Sequence, residues 1–285
     1  KDADALIKGQ ILKQPKENLV VIKVLKTLAG KEIKGAIKLD NFYLLKLCST
    51  SGHLEGFQFG VLQEAYFLIK KNKNGNYSIA TPTAGFDYPV ESGVVSTYRH
   101  SYHHALVPEE TYEQTMTAIF NSYHGTSYDT TYIDTYIKTQ LSLKPAFFDG
   151  KDQTTFFLQH VALELIYHLK LKNYYELILP FLNDTGNFHN QISAGRALVN
   201  YKTEDCKLNL LRIISDSVTN GFPKVICIWT LKEFDLTADK FKLAKLLENA
   251  STEENGFGGS IMDPRVCTVI PTVKSALTDI LKQIK

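Results

Sequence analysis

Between residues 6 and 81 the apolar side chains recur with period two. Ile7, Gly9 and Ile11 fall on one face of an extended chain, and Val20, Ile22 and Val24 do the same in the next stretch. The pattern predicts strands over 6–12, 19–27, 36–47 (broken at Asp40-Asn41), 57–62 and 65–70. Asn74-Gly75 stands between AYFLIKKNK and NYSIAT, the strongest short hairpin signal in the chain. No helical pattern separates these strands, which argues against a parallel α/β sheet. Five or six strands in so short a stretch predict a small closed antiparallel barrel.

Residues 82–107 read as irregular or extended, punctuated by Pro82, Gly85, Pro89 and Gly93. Pro108-Glu109-Glu110 then opens a helix, with Pro in the first turn and acids at the positive end of the dipole. Tyr112, Met116, Ile119, Phe120 and Tyr123 form its apolar stripe, and Gly125 ends it. A second helix is predicted over 129–143, carrying Tyr132, Ile133, Tyr136 and Ile137 and stopped by Pro145. Eight of the fifteen tyrosines lie between Tyr88 and Tyr136 and read as aromatic padding of a helix against the barrel.

From Thr154 onward the period is helical, and it repeats. A shift of 33 takes Leu208, Leu210, Ile213 and Ile214 to Phe241, Leu243, Leu246 and Leu247, Leu198 to Leu231 and Asp205 to Ala238. An earlier pair of helices, over 156–169 and 174–182, fits at 34 or 35. Phe222-Pro223-Lys224-Val225 recurs as Asp263-Pro264-Arg265-Val266 after a loop insertion. Two helices per unit at this period predict a stacked α-solenoid, capped by an unpaired last helix over 264–284.

Composition narrows the class. The chain has 285 residues, 44% hydrophobic and 22% charged, which is globular, and no apolar run is long enough to cross a membrane. The net charge of +2 is too small for a nucleic-acid coat. It is unevenly spread: residues 1–80 hold 13 Lys against 7 acids, and residues 81–150 hold 3 basic against 8 acidic residues. Single lysines between apolar residues read as the solvated faces of strands. Cys48, Cys206, Cys227 and Cys267 lack CxxC spacing and read as small buried hydrophobes. The chain starts Lys1-Asp2-Ala3 without Met, which reads as a mature or trimmed chain that has lost a signal peptide, or equally as a simple boundary of the piece.

The stretch from ADALIKGQIL through VIKVLKTLAG to AYFLIKKNKNGNYSIATP resembles the netrin-like or TIMP-like version of the OB barrel in secreted bacterial proteins. The features that carry it are the opening D-A-L-I-K-G-Q-I-L strand, the V-L-K-x-L-x-G turn and the late Y-F-L-I strand. The helices after Pro108 correspond to the C-terminal helices of that domain. GFPKVICIWTLKEFD and DPRVCTVIPTVKSAL are similar to HEAT repeats. The resemblance implies an α+β two-domain chain: an OB-like barrel with two C-terminal helices over 1–150, and an all-α HEAT-like solenoid over 151–285. Netrin-like domains are typically stapled by disulfides, whereas residues 1–150 hold Cys48 alone. Inhibitors of the TIMP type chelate a target's zinc through an N-terminal Cys, whereas this chain starts with Lys1. The fold carries over and the inhibitor activity does not.

The conspicuous polar cluster is Tyr98, Arg99, His100, Ser101, Tyr102, His103 and His104, with three of the eight histidines in five positions. In a strand His100 and His104 share a face about 13 Å apart, too far for one zinc ion, whereas a turn or helical conformation would bring them together; the segment reads as a polar, aromatic strand at the domain junction and no metal is assigned. His160, Glu164 and His168 follow at i, i+4 and i+8 on one helix. That spacing offers one ion only an adjacent pair and equally suits a buried stripe at a domain junction. His53, His124 and His189 read as loop or surface residues. G-x-S-x-G, H-E-x-x-H, the Walker loop and G-x-G-x-x-G are absent from the sequence. Gly256-Phe257-Gly258-Gly259-Ser260 lacks the preceding strand that a phosphate loop requires, and Asp129, Asp134 and Asp149 show no pairing for acid–base work.

These readings lead to a non-enzymatic, extracytoplasmic interaction or scaffold protein, periplasmic, cell-surface or secreted, without a cofactor. It would bind a protein or peptide through barrel and solenoid surfaces, with Tyr98, Arg99, His100, Tyr102, His103 and His104 as the contact patch. Two other classes remain open at this point. One is single-stranded nucleic-acid binding on lysines and Tyr43, Phe57, Tyr66 and Tyr77, opposed by the acidic stretch over 87–149. The other is a metal-dependent hydrolase using His100, His104 and His124.

Overall fold

The structure is a computed structural model that describes residues 1–16, 19–40, 46–48, 54–56, 60–80, 86–90, 93–99, 102–148, 151–254 and 270–284. The described residues form two compact units that divide between Ile133 and Asp134.

In the first unit β1 (Ala5–Lys16), β2 (Leu19–Gly30) and β3 (Ala36–Asp40) form an antiparallel meander. After the short pair β4 (Lys46–Cys48) and β5 (Leu54–Gly56), β6 (Glu64–Lys71) and β7 (Tyr77–Ile79) complete a closed five-strand barrel. Its order is β1-β2-β3-β7-β6 and back to β1, with every seam antiparallel except β3–β7, where Leu39 lies opposite Tyr77 in parallel. The expected small barrel is therefore present. The strand expected over 57–62 is not a strand where it is described: Gly60–Gln63 closes a turn, with the Gln63 N–H donating to the Gly60 carbonyl at 3.1 Å. Residues 57–59 lie outside the described residues.

Alternation places Ile7, Ile11, Val20, Ile22, Leu39, Phe67 and Ile69 in the barrel interior. Gly9 belongs to this face because β2 crosses so close that a Cβ there would lie 2.3 Å from Ile22 Cγ2. The hairpin at Asn74-Gly75 forms with a three-residue loop. Asn72 N–H donates to Asn76 O at 2.7 Å, Gly75 N–H to Asn72 O at 3.1 Å, and Gly75 takes φ +87°, the left-handed residue that ends such a loop. Asp40, last in β3, accepts from Asn74 Nδ2 at 2.9 Å and from Asn76 Nδ2 at 3.0 Å, fastening the parallel seam.

The stretch 82–107 holds three strands: β8 (Phe86–Val90), β9 (Val94–Arg99) and β10 (Tyr102–Pro108), which extend the sheet from β6 as an antiparallel meander. Pro89 and Gly93 are compatible with this, and Pro82 and Gly85 lie outside the described residues. Pro89 lies beyond the described β6–β8 pairs, Tyr66–Asp87 and Phe67–Phe86, where a strand tolerates a missing N–H. Gly93, at φ +69°, turns the chain between β8 and β9.

Helix α1 (Glu109–Tyr123) starts after Pro108 and ends at His124 and Gly125, as its sequence predicts. Tyr112, Ile119 and Phe120 are buried. Phe120 and Met116 pack with Leu6 and Leu68 outside the barrel, so β6 is covered on both faces. Tyr123, expected on the apolar stripe, is exposed. Helix α2 (Thr130–Leu141), capped by Asp129 through Tyr132 N–H at 2.9 Å, contains the division between the units.

The second unit is helical: α3 (Gln153–His168), α4 (Tyr175–Leu182), α5 (Phe188–Ala197), α6 (Glu204–Ser215), α7 (Gly221–Leu231), α8 (Lys240–Glu248) and α9 (Val273–Gln283). Helix α3 is buried on nearly every side between Phe156 and Ile166, polar Gln159, His160 and Glu164 included, the mark of a central helix. Adding 33 to α5 gives 221–230, the span of α7, and adding 33 to α6 gives 237–248, the span of α8 with the 3-10 turn Thr237–Asp239 before it. The N-caps repeat too. Asn187 accepts from Asn190 N–H and Asn220 from Phe222 N–H, 33 residues apart. In space α3 packs on α5, α5 on α7 and α7 on α9, with α4, α6 and α8 bracing the next helix along. The helix expected over 264–284 is shorter than expected. Ile270, Pro271 and Thr272 are not helical, and Thr272 caps α9 through Ser275 N–H at 3.1 Å; Asp263-Pro264-Arg265-Val266 lies outside the described residues. Cys206 and Cys227 are buried free thiols, as expected, and burial pushes the Cys206 thiol up to about 12. Among the described residues no helix is long and apolar enough to cross a membrane.

Candidate functional site

The expected contact patch lies on the β9–β10 hairpin. Tyr98 and Arg99 end β9, and Tyr102, His103 and His104 begin β10, with Tyr102 paired to Arg99. Five of the six residues are thus gathered at the closed end of one hairpin by backbone pairing; His100 lies outside the described residues.

Tyr66, proposed from sequence as a platform for a nucleic-acid base, is fully buried. Its ring packs on Tyr112 of α1, centroids 4.6 Å apart. The reason is the run AYFLI: Phe67 and Ile69 fill the barrel while Tyr66 and Leu68 face α1, so neither face of β6 is free. The Tyr66 hydroxyl donates to the Glu109 carboxylate and, at 3.1 Å, to Glu113. Lys8 bridges Glu109 at 2.6 Å and Glu64 at 2.9 Å, and Lys26 bridges Glu113 at 2.5 Å. Hydrogen bonds from Lys8 and Tyr66 hold the Glu109 carboxyl below the usual carboxylate range. Burial, reinforced by the two glutamates, pushes the Tyr66 phenol far up. The cluster fastens α1 to β1, β2 and β6. Tyr43 and Phe57 lie outside the described residues, and Tyr77 is half-buried.

Asp4, Lys31, Ile33, Lys71, Tyr77 and His124 line a cavity of about 280 Å³ in the first unit. Five separate segments supply them, and short-range bonds fix the walls. Asp4 N–H donates to Ile69 O at 2.7 Å, Lys31 N–H to Asp4 O at 3.0 Å, and Lys71 N–H to the Asp4 carboxylate at 2.7 Å. Thr27 Oγ1 bonds both the N–H and the carbonyl of Ile33. His124 is exposed, as its reading as a loop or surface residue expects, and its ring stacks on Phe120 at 4.2 Å and 13°. Gly30, at φ +83°, lets these parts meet: a Cβ there would lie 2.3 Å from Asp4 O and 2.8 Å from the Phe120 ring. No local motif announces such a site; the lysine-rich composition of the N-terminal third was its only trace in the sequence.

In the second unit His160 and Glu164 are buried. His160 Nδ1 donates to Phe156 O at 2.8 Å, one turn back on its own helix, while Glu164 faces His168 at 3.5 Å. Burial lowers the His160 pKa to about 4, so the ring is neutral at ordinary pH. His189, expected on the surface, is half-buried on α5, edge-on to Phe156 at 6.0 Å. Beside it a buried amide layer joins the two helices to the chain before α3. Gln159 Oε1 accepts from Ala146 N–H at 2.9 Å, and Asn187 Nδ2 donates to Ala146 O at 3.0 Å. Among the described residues no group of three or more His, Cys, Asp or Glu side chains is placed to hold a metal ion.

Compared with known proteins, the chain matches no family model, no curated protein and no solved structure at a significant level.

Proposed function

We propose that this chain is a non-enzymatic, extracytoplasmic interaction protein, built from an OB-like barrel of the netrin-like kind and a HEAT-like array of helix pairs, that binds a protein or peptide partner. The barrel reading is supported by its strand order and single parallel seam, and the helical reading by the 33-residue spacing of α5 to α7 and of α6 to α8. The extracytoplasmic location rests on the resemblance of the N-terminal part alone.

The observation that carries the partner reading is an exposed apolar position that recurs on α6 and α8. Leu208 and Phe241 are 33 residues apart; Leu208 is 50% exposed and Phe241 84% exposed. A large apolar residue exposed once means little, whereas its recurrence at one repeat position describes a binding ridge. Exposed Lys240, Lys242 and Lys245 surround Phe241 on α8 and favour an acidic partner segment with an apolar anchor. The hairpin residues Tyr98, Arg99, His100, Tyr102, His103 and His104 would supply a second contact from the first unit.

The test compares the wild-type chain with two variants as bait, Leu208→Asp with Phe241→Asp, and Tyr102→Ala with His103→Ala. The expected result is one protein recovered by wild type and lost from the ridge variant, while that variant keeps its circular dichroism and melting temperature. Equal recovery by the folded ridge variant would remove the ridge, and equal recovery by the folded hairpin variant would remove the hairpin.

A further inference from the structure

We propose that the cavity lined by Asp4, Lys31, Ile33, Lys71, Tyr77 and His124 binds a small organic carboxylate of about benzoate size. Lys31, Lys71 and Tyr77 belong to its lining, and among the described residues neither ammonium group nor the Tyr77 hydroxyl has an ion-pair or hydrogen-bond partner. The single carboxylate of the lining, Asp4, already accepts the Lys71 N–H. The formal balance of two lysines against one aspartate favours an anion.

Size and surface make the ligand more than a bare ion. A volume of about 280 Å³ is roughly nine times the share of one water in the liquid, ~30 Å³, and falls just under the usual range for small-molecule sites. Buried Ile33, the Tyr77 ring and the His124 imidazole offer apolar and aromatic surface. An anion with a flat apolar body uses both the donors and these walls, whereas phosphate uses the donors alone. The backbone beneath the lining is held before any ligand arrives, at Asp4, Lys31, Ile33 and Lys71 by hydrogen bonds of their main-chain groups, and His124 is held by its stack on Phe120. Pre-formed walls lower the ordering cost of binding.

The test is a titration of the full 15N-labelled chain, followed by the amide shifts of Lys31, Lys71 and Tyr77, with benzoate, inorganic phosphate and benzyl alcohol as separate probes. The expected result is a saturable shift with benzoate, at least tenfold weaker with phosphate or benzyl alcohol. Lys31→Ala with Lys71→Ala should weaken benzoate at least tenfold, and Lys34→Ala, outside the cavity, should leave it within twofold. Absence of a saturable benzoate shift, phosphate binding as tight as benzoate, or a double variant that still binds within twofold of wild type would each overturn the proposal.

Discussion

The Tyr66 hydroxyl, on a barrel strand, donates to the carboxylate of Glu109, in the first turn of α1. The same carboxylate takes the Lys8 ammonium at 2.6 Å, so one acidic side chain holds two strands of the barrel against one helix. Glu109 also sits at the positive end of the helix dipole, where a negative charge is favoured. Removing the Tyr66 hydroxyl leaves the ring packed on Tyr112 and takes away only its bonds to Glu109 and Glu113. Tyr66→Phe should therefore lower stability by about 1.5–3 kcal/mol, the usual worth of hydrogen bonds to charged groups. Urea unfolding checks it, and an unchanged midpoint would show that Lys8 suffices.

Acid should loosen the same contact. The folded state holds the Glu109 carboxyl below its unfolded value, chiefly through the Lys8 hydrogen bond and then through Tyr66. That stabilisation is complete above the unfolded pKa of about 4.3 and is lost as pH falls through the lower folded value. The melting temperature should therefore drop below about pH 4. In Glu109→Gln the drop should be shallower, with the difference between the proteins confined to that acid range.

His160 predicts a second pH window. A buried neutral imidazole whose folded pKa is about 4 resists the proton that the unfolded chain accepts at about 6.5. Between these values the unfolded state binds more protons, so stability rises with pH, by at most about 1.4 kcal/mol per unit. The ring C2 proton of His160 should show no titration by NMR above about pH 5. In a folded His160→Gln variant the slope between pH 4 and 6.5 should vanish; a His160 resonance titrating near 6.5 would contradict its burial.

Packing between α5 and α7 depends on the smallness of Gly195. A Cβ there would stand 3.2 Å from Ile226 Cγ2 and 3.5 Å from Cys227 Sγ, while the Gly195 carbonyl accepts from Thr230 Oγ1 at 2.8 Å. Gly195→Ala should push the helices apart and cost about 1–3 kcal/mol, as overpacking does. The check is a lower urea midpoint at unchanged slope; a gain in stability would mean that helix propensity outweighs the crowding.

Local pattern carried the elements well. Period two in Ile7, Gly9 and Ile11 marked the barrel wall, Asn74-Gly75 marked a hairpin, and the 33-residue shift marked α5 to α8, because each signal lies within a few turns or one repeat. It failed where the outcome depended on distant partners. Tyr66 read as an available aromatic because α1 covers it from more than forty positions away, and β8 to β10 were legible only as an irregular or extended stretch because Pro89 and Gly93 read as breaks. The Asp4, Lys31, Lys71, Tyr77 and His124 cavity left no pattern, since closure of the barrel assembles it.

The route by which the barrel closes has a cost during synthesis. β1 pairs with β2 at once, but its other edge waits for β6, with Ala5 opposite Ile69. Until the chain has grown past Lys71, a long strand keeps one row of unpaired N–H and C=O groups, a template for another nascent copy. The helical unit has no such interval, because α5, α6 and α7 each find a partner within one repeat and short-range contacts form fastest. The two halves of one polypeptide thus differ in their exposure to misassembly, and the barrel is the half that a chaperone would need to guard.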